Sequence, residues 1–342
     1  MSIRIAVIGA GIMGQDHARI IAREVPGATL QLICDPSPGR ARAVADQFGA
    51  VDASHDPLHA IARADVDAVI IASPDDTHAS LAMAAISAGK PALCEKPLSQ
   101  SPDECLAVID QETSLGRQFI QLGFMRRFDP SYREMKHALD TGLIGRAVMM
   151  HNFHRNVEAP ANFSGQMAIS NSAPHEFDVA RHVLGTEYSA IAVFQPARSS
   201  STGVGAPVFM VLETRDGHLV NIEVNNNAAY GYDVRGELVG EQGSIELAAP
   251  VQARVNRHLH AGHRYAADWR PRFADAYRLQ DQAFLEFVTT GVFPAQAANA
   301  WDGYCAASVA QAGIQALNEG RRVTLHSLAT PALYLPRQGA RP

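Results

Sequence analysis

Three closely spaced glycines near the N-terminus place the strongest limit on how this chain folds. They stand in the run Gly9-Ala10-Gly11-Ile12-Met13-Gly14, directly after the apolar segment Ile3–Ile8 and at the start of a stretch with helical spacing, Met13–Glu24. The first glycine permits a tight turn, and the third lets a helix pack closely on the preceding strand. A strand, a glycine turn and a helix in this order predict the start of a parallel sheet covered by helices.

The same alternation of strands and helices continues through the first third of the chain. Further short apolar runs, typical of buried parallel strands, are Leu30–Cys34 and Ala68–Ala72. Alanine-rich segments with helical spacing lie between and after them, at Arg40–Phe48 and His78–Ala88. We therefore predict a Rossmann domain, a doubly wound parallel α/β sheet, over residues 1–123.

After Phe124 the pattern changes to that of an α+β domain, which we predict over residues 124–330. Helical spacing marks the segments Pro130–Asp140, His175–Leu184, Phe273–Val288 and Asp302–Asn318. Short strands separated by turn residues are Phe209–Thr214, His218–Val224, Arg235–Val239 and Ser244–Leu247. They predict a large, mostly antiparallel open sheet built from consecutive hairpins. Residues 331–342 are expected to form a loosely held C-terminal tail.

The charge balance and the cysteines exclude several classes of protein. The 342 residues carry 29 lysines and arginines against 35 aspartates and glutamates, a formal net charge of -6, so no nucleic-acid partner is expected. No apolar run approaches the roughly 20 residues that span a bilayer. The N-terminus shows no secretory signal, and the four cysteines form no CxxC pair. We expect a cytoplasmic protein with no membrane partner.

Fourteen histidines raise the question of a metal site. The densest groups are His258, His260 and His263, and the pair His151 and His154. Neither spacing matches a known ligand pattern, and no cysteine or acidic residue accompanies the first group. No metal site is predicted.

The glycine run also fits a dinucleotide cofactor, although a glycine turn without a ligand is the alternative. The second glycine lets the backbone approach a pyrophosphate, and the helix N-terminus offers N–H groups to the phosphates. Asp35 follows the second strand, where a carboxylate binds the ribose hydroxyls. Since that carboxylate repels a 2′-phosphate, NAD is favoured over NADP, a preference that Arg40 and Arg42 would soften. The predicted cofactor residues here are Gly9, Gly11, Ile12, Met13, Gly14 and Asp35.

Two further segments follow predicted strands and so lie along the carboxyl edge of the sheet, where ligands bind in open α/β folds. They are Ser73-Pro74-Asp75-Asp76-Thr77-His78 and Cys94-Glu95-Lys96-Pro97. Taken alone, Lys96 is more typical of a solvated surface. Held between Glu95 and the stiff Pro97 at that edge, it becomes a candidate for acid–base work or for polarising a hydroxyl. Ser73, Pro74, His78, Glu95 and Lys96 complete the predicted cofactor contacts.

A histidine at the start of a predicted helix is a second candidate for proton transfer. Pro174 suits a first helical turn, and Asn171 or Ser172 would cap it. His175 and Asp178 then share one helix face. A capped helix with a satisfied core histidine is the alternative, although histidine is the side chain whose ordinary pKa best suits proton transfer near neutral pH.

Taken together, these segments resemble the Gfo/Idh/MocA family of nicotinamide-dependent sugar and polyol dehydrogenases. The resemblance runs from Ile3 to about Leu325 and rests on the runs GAGIMG, SPDDTH, CEKP, QLGFMRRFDPSY and PHEFDVARHVLG. Four further runs resemble the myo-inositol 2-dehydrogenase branch of the family. They are Gly123-Phe124-Met125-Arg126-Arg127, His154-Arg155-Asn156, Tyr230-Gly231-Tyr232-Asp233 and Ala300-Trp301-Asp302-Gly303-Tyr304.

The resemblance implies roles for individual residues. Lys96 would touch the reacting hydroxyl and the nicotinamide ribose. His175 would accept and return the proton of that hydroxyl, with Asp178 assisting. The polyol pocket would be lined by Arg126, His154, Asn156 and Tyr232. In the family the antiparallel sheet of the second domain commonly forms an oligomer interface, so a homo-oligomer, either a tetramer or a dimer, is expected.

One position departs from the pattern of the branch. Four residues before the histidine, where the branch usually has an aspartate, this chain has Asn171, which accepts a hydrogen bond but carries no charge. Asn171 stays among the predicted catalytic and substrate-binding residues. A relay passed to Asp178, a different substrate or slower turnover are the alternatives that follow, since the aspartate would orient and stabilise the imidazole.

The sequence thus predicts an NAD-dependent dehydrogenase that oxidises a ring secondary alcohol of a cyclic polyol to a ketone, with myo-inositol converted to scyllo-inosose as the first choice. One alternative is another sugar or cyclitol, such as a pyranoside, an anhydrosugar, scyllo-inositol or an amino-cyclitol. Another is a catalytically weak NAD-binding sensor, against which intact Lys96 and His175 argue. The chemistry needs no metal, because a lysine ammonium can stabilise an alkoxide.

Overall fold

The computed structural model describes residues 2–196, 207–248, 254–262, 264–326 and 328–335. Sixteen strands lie within these ranges. In chain order they are β1 (Ile3–Ile8), β2 (Ala28–Cys34), β3 (Asp52–Ser54), β4 (Ala68–Ile71), β5 (Ala92–Cys94), β6 (Ile120–Leu122), β7 (Ala147–Arg155), β8 (Tyr188–Phe194), β9 (Val208–Thr214), β10 (Leu219–Asn225), β11 (Asp233–Gly240), β12 (Ser244–Glu246), β13 (Val255–Arg257), β14 (His260–Gly262), β15 (Ala298–Asn299) and β16 (Val323–Thr324).

Every helix predicted from the apolar spacing is present in the structure. The helices are α1 (Ile12–Glu24), α2 (Pro38–Phe48), α3 (Pro57–Ala62), α4 (His78–Ser87), α5 (Pro102–Leu115), α6 (Pro130–Asp140), α7 (Gly165–Met167), α8 (Pro174–Leu184), α9 (Trp269–Thr290) and α10 (Ala300–Glu319). Among the helices of the described ranges, none combines the length and the apolar character that crossing a membrane requires.

The described part of the chain groups into two compact units. The first takes in the described residues within Met1–Phe128, Asp275–Ala307 and Leu328–Pro342, and the second takes in those within Asp129–Ala274 and Ser308–Ser327. This grouping differs from the predicted division into residues 1–123, 124–330 and 331–342. Late segments join the first unit because β15 pairs with β6 and because Trp301 is buried in the same apolar core as Leu122. Apolar spacing shows that a helix is buried, but it does not show against which sheet.

The sheet of the first unit has the strand order β3-β2-β1-β4-β5-β6, and β15 extends it at the β6 edge. The first six strands are parallel, and β15 runs antiparallel to β6. The predicted Rossmann sheet is therefore confirmed. In the centre, Ile8 is paired with Cys34 on one side and Ile71 on the other. The segments after β1, β2, β4 and β5 consequently start along one edge.

The sheet of the second unit has the order β12-β11-β7-β10-β9-β8-β16. Every pair is antiparallel except β7 with β10, so the predicted mostly antiparallel sheet is confirmed. The expectation of consecutive hairpins is wrong in the middle, because β7 lies between β10 and β11. This strand was missed because its buried face carries Asn152 and His154 beside Met150, which hides the apolar alternation that marks a strand.

The start of the predicted C-terminal tail is held against the first unit, so the expectation of a loose segment is wrong there. Tyr334 is buried, and its hydroxyl donates a hydrogen bond to the Glu112 carboxylate on α5. The backbone N–H groups of Phe119 and Ile120 donate to the same carboxylate. Burial raises the pKa of Glu112, and the Tyr334 and backbone donors oppose that rise. Residues 336–342 of the predicted tail lie outside the described residues.

The Tyr334 hydroxyl gives a test of this attachment. Tyr334→Phe leaves a buried carboxylate with one donor fewer, so we expect the free energy of unfolding to fall by about 1–3 kcal/mol. Denaturant unfolding followed by circular dichroism measures the change. Tyr265→Phe, at a residue that is 53% exposed, is the matched control and should change stability by less than about 0.5 kcal/mol. Equal stabilities of the two variants would contradict the attachment.

Candidate active site

The glycine turn between β1 and α1 forms a cradle that fits a dinucleotide. A Cβ atom on Gly9 would lie 2.4 Å from the Ala72 carbonyl oxygen, and one on Gly14 would lie 1.9 Å from the Gly9 carbonyl oxygen. A Cβ on Gly11 would meet no heavy atom within 4 Å, so space is left in front of the helix. Gly11 is also the N-cap of α1 and makes no side-chain cap. A pyrophosphate would fit this space at the helix N-terminus, beside Ile12 and Met13.

Asp35 stands at the end of β2 as a buried, oriented carboxylate. Its Oδ2 accepts a hydrogen bond from the Ala10 N–H at 3.0 Å, and its Oδ1 accepts one from the Ser37 N–H at 2.9 Å. The exposed guanidinium of Arg40 lies 3.7 Å from Oδ2. Arg42 instead faces carboxylates of other residues, so of the two arginines it is Arg40 that lies beside Asp35.

His78 joins the two loops that the sequence predicts at the carboxyl edge. The loop after β4 begins with Ser73 and Pro74, and the loop after β5 contains Pro97. The ring Nδ1 of His78 lies 2.7 Å from the Pro97 carbonyl oxygen, and its Nε2 lies 2.9 Å from the Ser73 carbonyl oxygen. The histidine is buried at the first turn of α4, and through its two ring nitrogens it connects the loop after β4 to the loop after β5.

Glu95, predicted to contact the cofactor, has its carboxylate bonded to a histidine that the sequence reasoning missed. His17 Nε2 lies 3.0 Å from Glu95 Oε1, and His17 Nδ1 lies 2.9 Å from Asp281 Oδ2. We call these three residues the buried charge cluster. Burial alone lowers the pKa of His17, but the charges and hydrogen bonds of Asp281 and Glu95 outweigh it and raise the pKa to about 10. His17 is therefore an imidazolium at neutral pH.

Lys96 follows the cluster directly in the chain and is partly exposed. Its backbone N–H donates to Glu95 Oε2 at 3.2 Å, and the peptide bond from Lys96 to Pro97 is cis. Arg126, one of the predicted pocket residues, is buried in a short helical turn of the same unit.

The sequence feature that could have pointed to His17 is its position one helical turn after Gly14 on α1. Asp281 had none, because it lies 264 residues away along the chain.

The second unit brings four predicted pocket residues together. His154 on β7 and His175 on α8 have ring centroids 6.4 Å apart, and the rings of His154 and Tyr232 are 6.1 Å apart, edge to face. The Asn156 amide nitrogen lies 3.5 Å from His154 Nε2. All except Asn156 are buried, and Asp178 is buried on the same helix as His175.

The start of α8 differs from the sequence prediction. Its N-cap position is Ala173, with no side-chain cap, because residues Ala168–Ser172 form a π-helical turn that leads into it. The expectation that Asn171 or Ser172 caps the helix is therefore wrong. The side-chain amide oxygen of Asn171, Oδ1, accepts a hydrogen bond from the Ser170 hydroxyl at 2.6 Å, and the Ser172 hydroxyl accepts one from the Asn226 side-chain amide at 2.8 Å.

Glu176 is a further residue that the sequence reasoning missed. Its carboxylate is fully buried and lies 3.0 Å from His154 Nδ1. A carboxylate in this place accepts a hydrogen bond from Nδ1–H, which leaves Nε2 of His154 as an acceptor on the side of the Asn156 amide. The sequence did not point to Glu176 for two reasons. The strand that carries His154 was not predicted, and a glutamate next to His175 is typical of a solvated helix surface.

Among the described residues, no three His, Cys, Asp or Glu side chains come together in a way that would hold a metal ion. His258 and His260 are exposed on the β13–β14 hairpin, and His263 lies outside the described residues. His151 instead bonds to the Asn221 amide on the neighbouring strand.

Comparison with known proteins places the chain in a family. Residues 3–124 match the model of the Gfo/Idh/MocA oxidoreductase family, NAD-binding Rossmann fold, and residues 132–246 match the family's C-terminal domain. Inositol 2-dehydrogenase 1 of Saccharopolyspora erythraea is 45% identical over 337 residues, which cover 98% of this chain and 99% of that protein. The inositol 2-dehydrogenase of Burkholderia ambifaria is 36% identical over 338 residues, with 98% and 99% covered.

Solved structures agree with these relatives. The crystal structure of myo-inositol dehydrogenase from Lactobacillus casei, in complex with NAD(H) and myo-inositol, matches with a TM-score of 0.93 at 29% identity. The match covers 98% of this chain and 100% of that chain. With the glycine cradle, the oriented Asp35 and both family domains in place, the chain belongs to the Gfo/Idh/MocA family of oxidoreductases.

Proposed function

We propose that the chain is an NAD-dependent dehydrogenase that oxidises a ring secondary alcohol of a cyclic polyol to a ketone, with myo-inositol, giving scyllo-inosose, as the preferred substrate. The main support is the cluster of His154, His175, Asn156 and Tyr232 in the second unit. Imidazole, amide and phenol groups both donate and accept hydrogen bonds, as the hydroxyls of a polyol require. The relatives named as inositol 2-dehydrogenases support the same substrate class.

Lys96 and His175 are the proposed reacting groups of the protein. His175 takes the proton of the ring hydroxyl, and the Lys96 ammonium stabilises the alkoxide that develops. Asp178, on the same helix as His175, assists the histidine. When bound, NAD accepts the hydrogen that leaves the ring carbon with its electron pair. Arg126, His154, Asn156 and Tyr232 orient the remaining hydroxyls.

NAD is the proposed cofactor in preference to NADP. The Asp35 carboxylate, fixed by the N–H groups of Ala10 and Ser37, would bind the ribose hydroxyls and repel a 2′-phosphate. The cofactor contacts proposed around it are the glycine turn, the loop with Ser73 and Pro74, and Lys96. Arg40 beside Asp35 weakens the discrimination without removing it.

A second candidate substrate is another cyclitol or sugar, and Asn171 is the observation that favours it. The amide carries no charge, and its oxygen accepts a hydrogen bond from Ser170. A pocket with this amide presents a different set of donors to a ring hydroxyl than a carboxylate would. Scyllo-inositol, a pyranoside, an anhydrosugar or an amino-cyclitol is a candidate for the ring that matches these donors.

We further propose that the protein is a cytoplasmic homo-oligomer, a tetramer or a dimer. On the second sheet, Phe194 and Phe209 are paired across strands, and both are exposed, as is Leu219. Exposed apolar side chains on one sheet face are typical of a protein interface. The four cysteines are buried and no disulfide joins them, which agrees with a reducing compartment.

Lys96→Met tests the reaction. Loss of the ammonium should lower kcat/KM by at least about 100-fold, because a developing alkoxide loses its stabilising charge. The measurement is NAD reduction, followed by absorbance, with myo-inositol and a panel of cyclitols and sugars. NAD binding, followed by protein fluorescence, should persist. Lys136→Met, on the surface of α6, is the matched control, and full turnover of Lys96→Met would disprove the assignment.

Asn171→Asp tests the departure from the branch. A carboxylate near His175 would favour the imidazolium, so the pH at which activity rises should shift upward, and the substrate preference should change across the panel. The pH dependence of kcat/KM for wild type and variant measures the shift. Identical rates, pH profiles and preferences would show that residue 171 takes no part in catalysis.

Glu176→Gln tests the support of His154. The amide keeps the size of the side chain and can still accept from Nδ1–H, but it lacks the negative charge that strengthens this hydrogen bond. We expect KM for the polyol to rise about tenfold, corresponding to about 1.4 kcal/mol of lost binding, with a smaller change in kcat. Glu134→Gln, at an exposed position of α6, is the control and should leave both constants unchanged. An unchanged KM in Glu176→Gln would contradict this role.

A further inference from the structure

Lys96 lies between two residues, each of which is held by a different buried histidine. On one side, His17 of α1 bonds to the Glu95 carboxylate, with 3.0 Å between Nε2 and Oε1. On the other side, His78 of α4 bonds to the Pro97 carbonyl oxygen, with 2.7 Å between Nδ1 and that oxygen. Both helices start at the edge where the cofactor cradle lies.

Both carboxylate oxygens of Glu95 are held by hydrogen bonds, one from within the buried charge cluster and one from the Lys96 backbone. Each ring nitrogen of His17 faces a carboxylate, so each carries a hydrogen, and the ring donates to both Asp281 and Glu95. The second oxygen of Glu95 accepts the Lys96 backbone N–H at 3.2 Å. A Cβ on Gly123, the residue after β6, would lie 3.0 Å from that same oxygen, so little space is left on that side of the carboxylate.

Stability alone does not explain such a cluster. His17 and Asp281 are completely buried, and Glu95 nearly so. Taking charges out of water is costly, and replacing a buried ion pair or triad by apolar residues of similar volume is often neutral or stabilising. A cluster of fixed hydrogen bonds, by contrast, gives one definite position to the atoms that it holds.

We propose that His17, backed by Asp281, is a positioning residue for Lys96: by fixing the Glu95 carboxylate it fixes the Lys96 backbone, while His78 fixes the chain on the Pro97 side. The proposal rests on the proposed role of Lys96. His17 touches neither substrate nor cofactor in it and acts through Glu95 alone. The opposing interpretation is a purely structural link between α1, α9 and the loop after β5.

Three variants separate the two interpretations. His17→Asn places an amide nitrogen where Nδ1 stood and keeps a donor toward Asp281 but none toward Glu95. In the double variant His17→Gln with Asp281→Asn, the new glutamine nitrogen replaces Nε2 and donates to Glu95. Its oxygen accepts from the new asparagine amide. One positive and one negative charge are removed together, so the net charge of the cluster is unchanged. Lys96→Met is the reference.

The first readout is turnover with NAD and the best substrate of the panel. For His17→Asn we expect kcat to fall by about 10- to 100-fold, because a shift of a reacting group on the order of 1 Å costs that much. KM for the polyol and the dissociation constant of NAD should stay within about threefold of the wild-type values, which corresponds to less than about 0.7 kcal/mol of binding free energy. The double variant should recover kcat to within about threefold of the wild-type value.

The second readout needs no turnover. The rate at which acetic anhydride acylates Lys96 in the protein without cofactor, followed by mass spectrometry, reports the surroundings of its ammonium. His17→Asn should change this rate relative to that of Lys136, and the double variant should restore it. Thermal unfolding of each variant shows whether the fold is retained.

The outcomes are distinct. If His17→Asn lowers the melting temperature but leaves kcat and the Lys96 acylation rate unchanged, the cluster is structural and the proposal is overturned. If the double variant recovers stability without recovering kcat and the acylation rate, the link through Glu95 is wrong. If Lys96→Met turns over normally, the proposed function itself fails. The acylation rates of the other two variants then still decide whether His17 positions Lys96.

Discussion

Two backbone contacts of glycine underlie the arrangement of the first unit. Gly9 passes so close to the Ala72 carbonyl, and Gly14 so close to the Gly9 carbonyl, that neither place leaves room for a Cβ atom. These contacts bring the start of α1 against β1 and the end of β4. The helix N-terminus therefore faces the cofactor cradle, and the next turn of the helix carries His17 to Glu95 and Asp281. One close packing thus shapes the glycine cradle and places the histidine that contacts Glu95 beside Lys96.

In each of the two units, a buried histidine has a ring nitrogen next to a buried carboxylate. In the first, His17 is shared by two carboxylates and stays charged. In the second, the carboxylate of Glu176 contacts Nδ1 of His154 and so helps to orient its ring. His154 therefore has a carboxylate partner that does not depend on the uncharged Asn171.

The sequence predicted what short-range patterns encode. The glycine turn, the Rossmann strands and the helices follow from local spacing, and family motifs marked Lys96, His175 and His154. The missed features depend on distant pairing. β7 is hidden by polar residues on its buried face, and Asp281 meets His17 from 264 residues away. Tyr334 binds Glu112 from a segment whose prolines suggested a loose tail. No local pattern records such contacts, because they arise only when the sheets assemble.

The charges around β7 bear on the kind of substrate that the second unit would accept. Side chains alternate along the strand, so His154 lies on the buried face and Arg155 on the other. Arg155 is paired with Glu223 at 2.6 Å, and Arg235 on the neighbouring strand is paired with Asp233 at 2.6 Å. Both guanidinium groups are thus neutralised within the sheet rather than directed to the His154 face. The side chains that come together around His154 are imidazole, phenol and amide groups, which both donate and accept hydrogen bonds and therefore suit the hydroxyls of a ring.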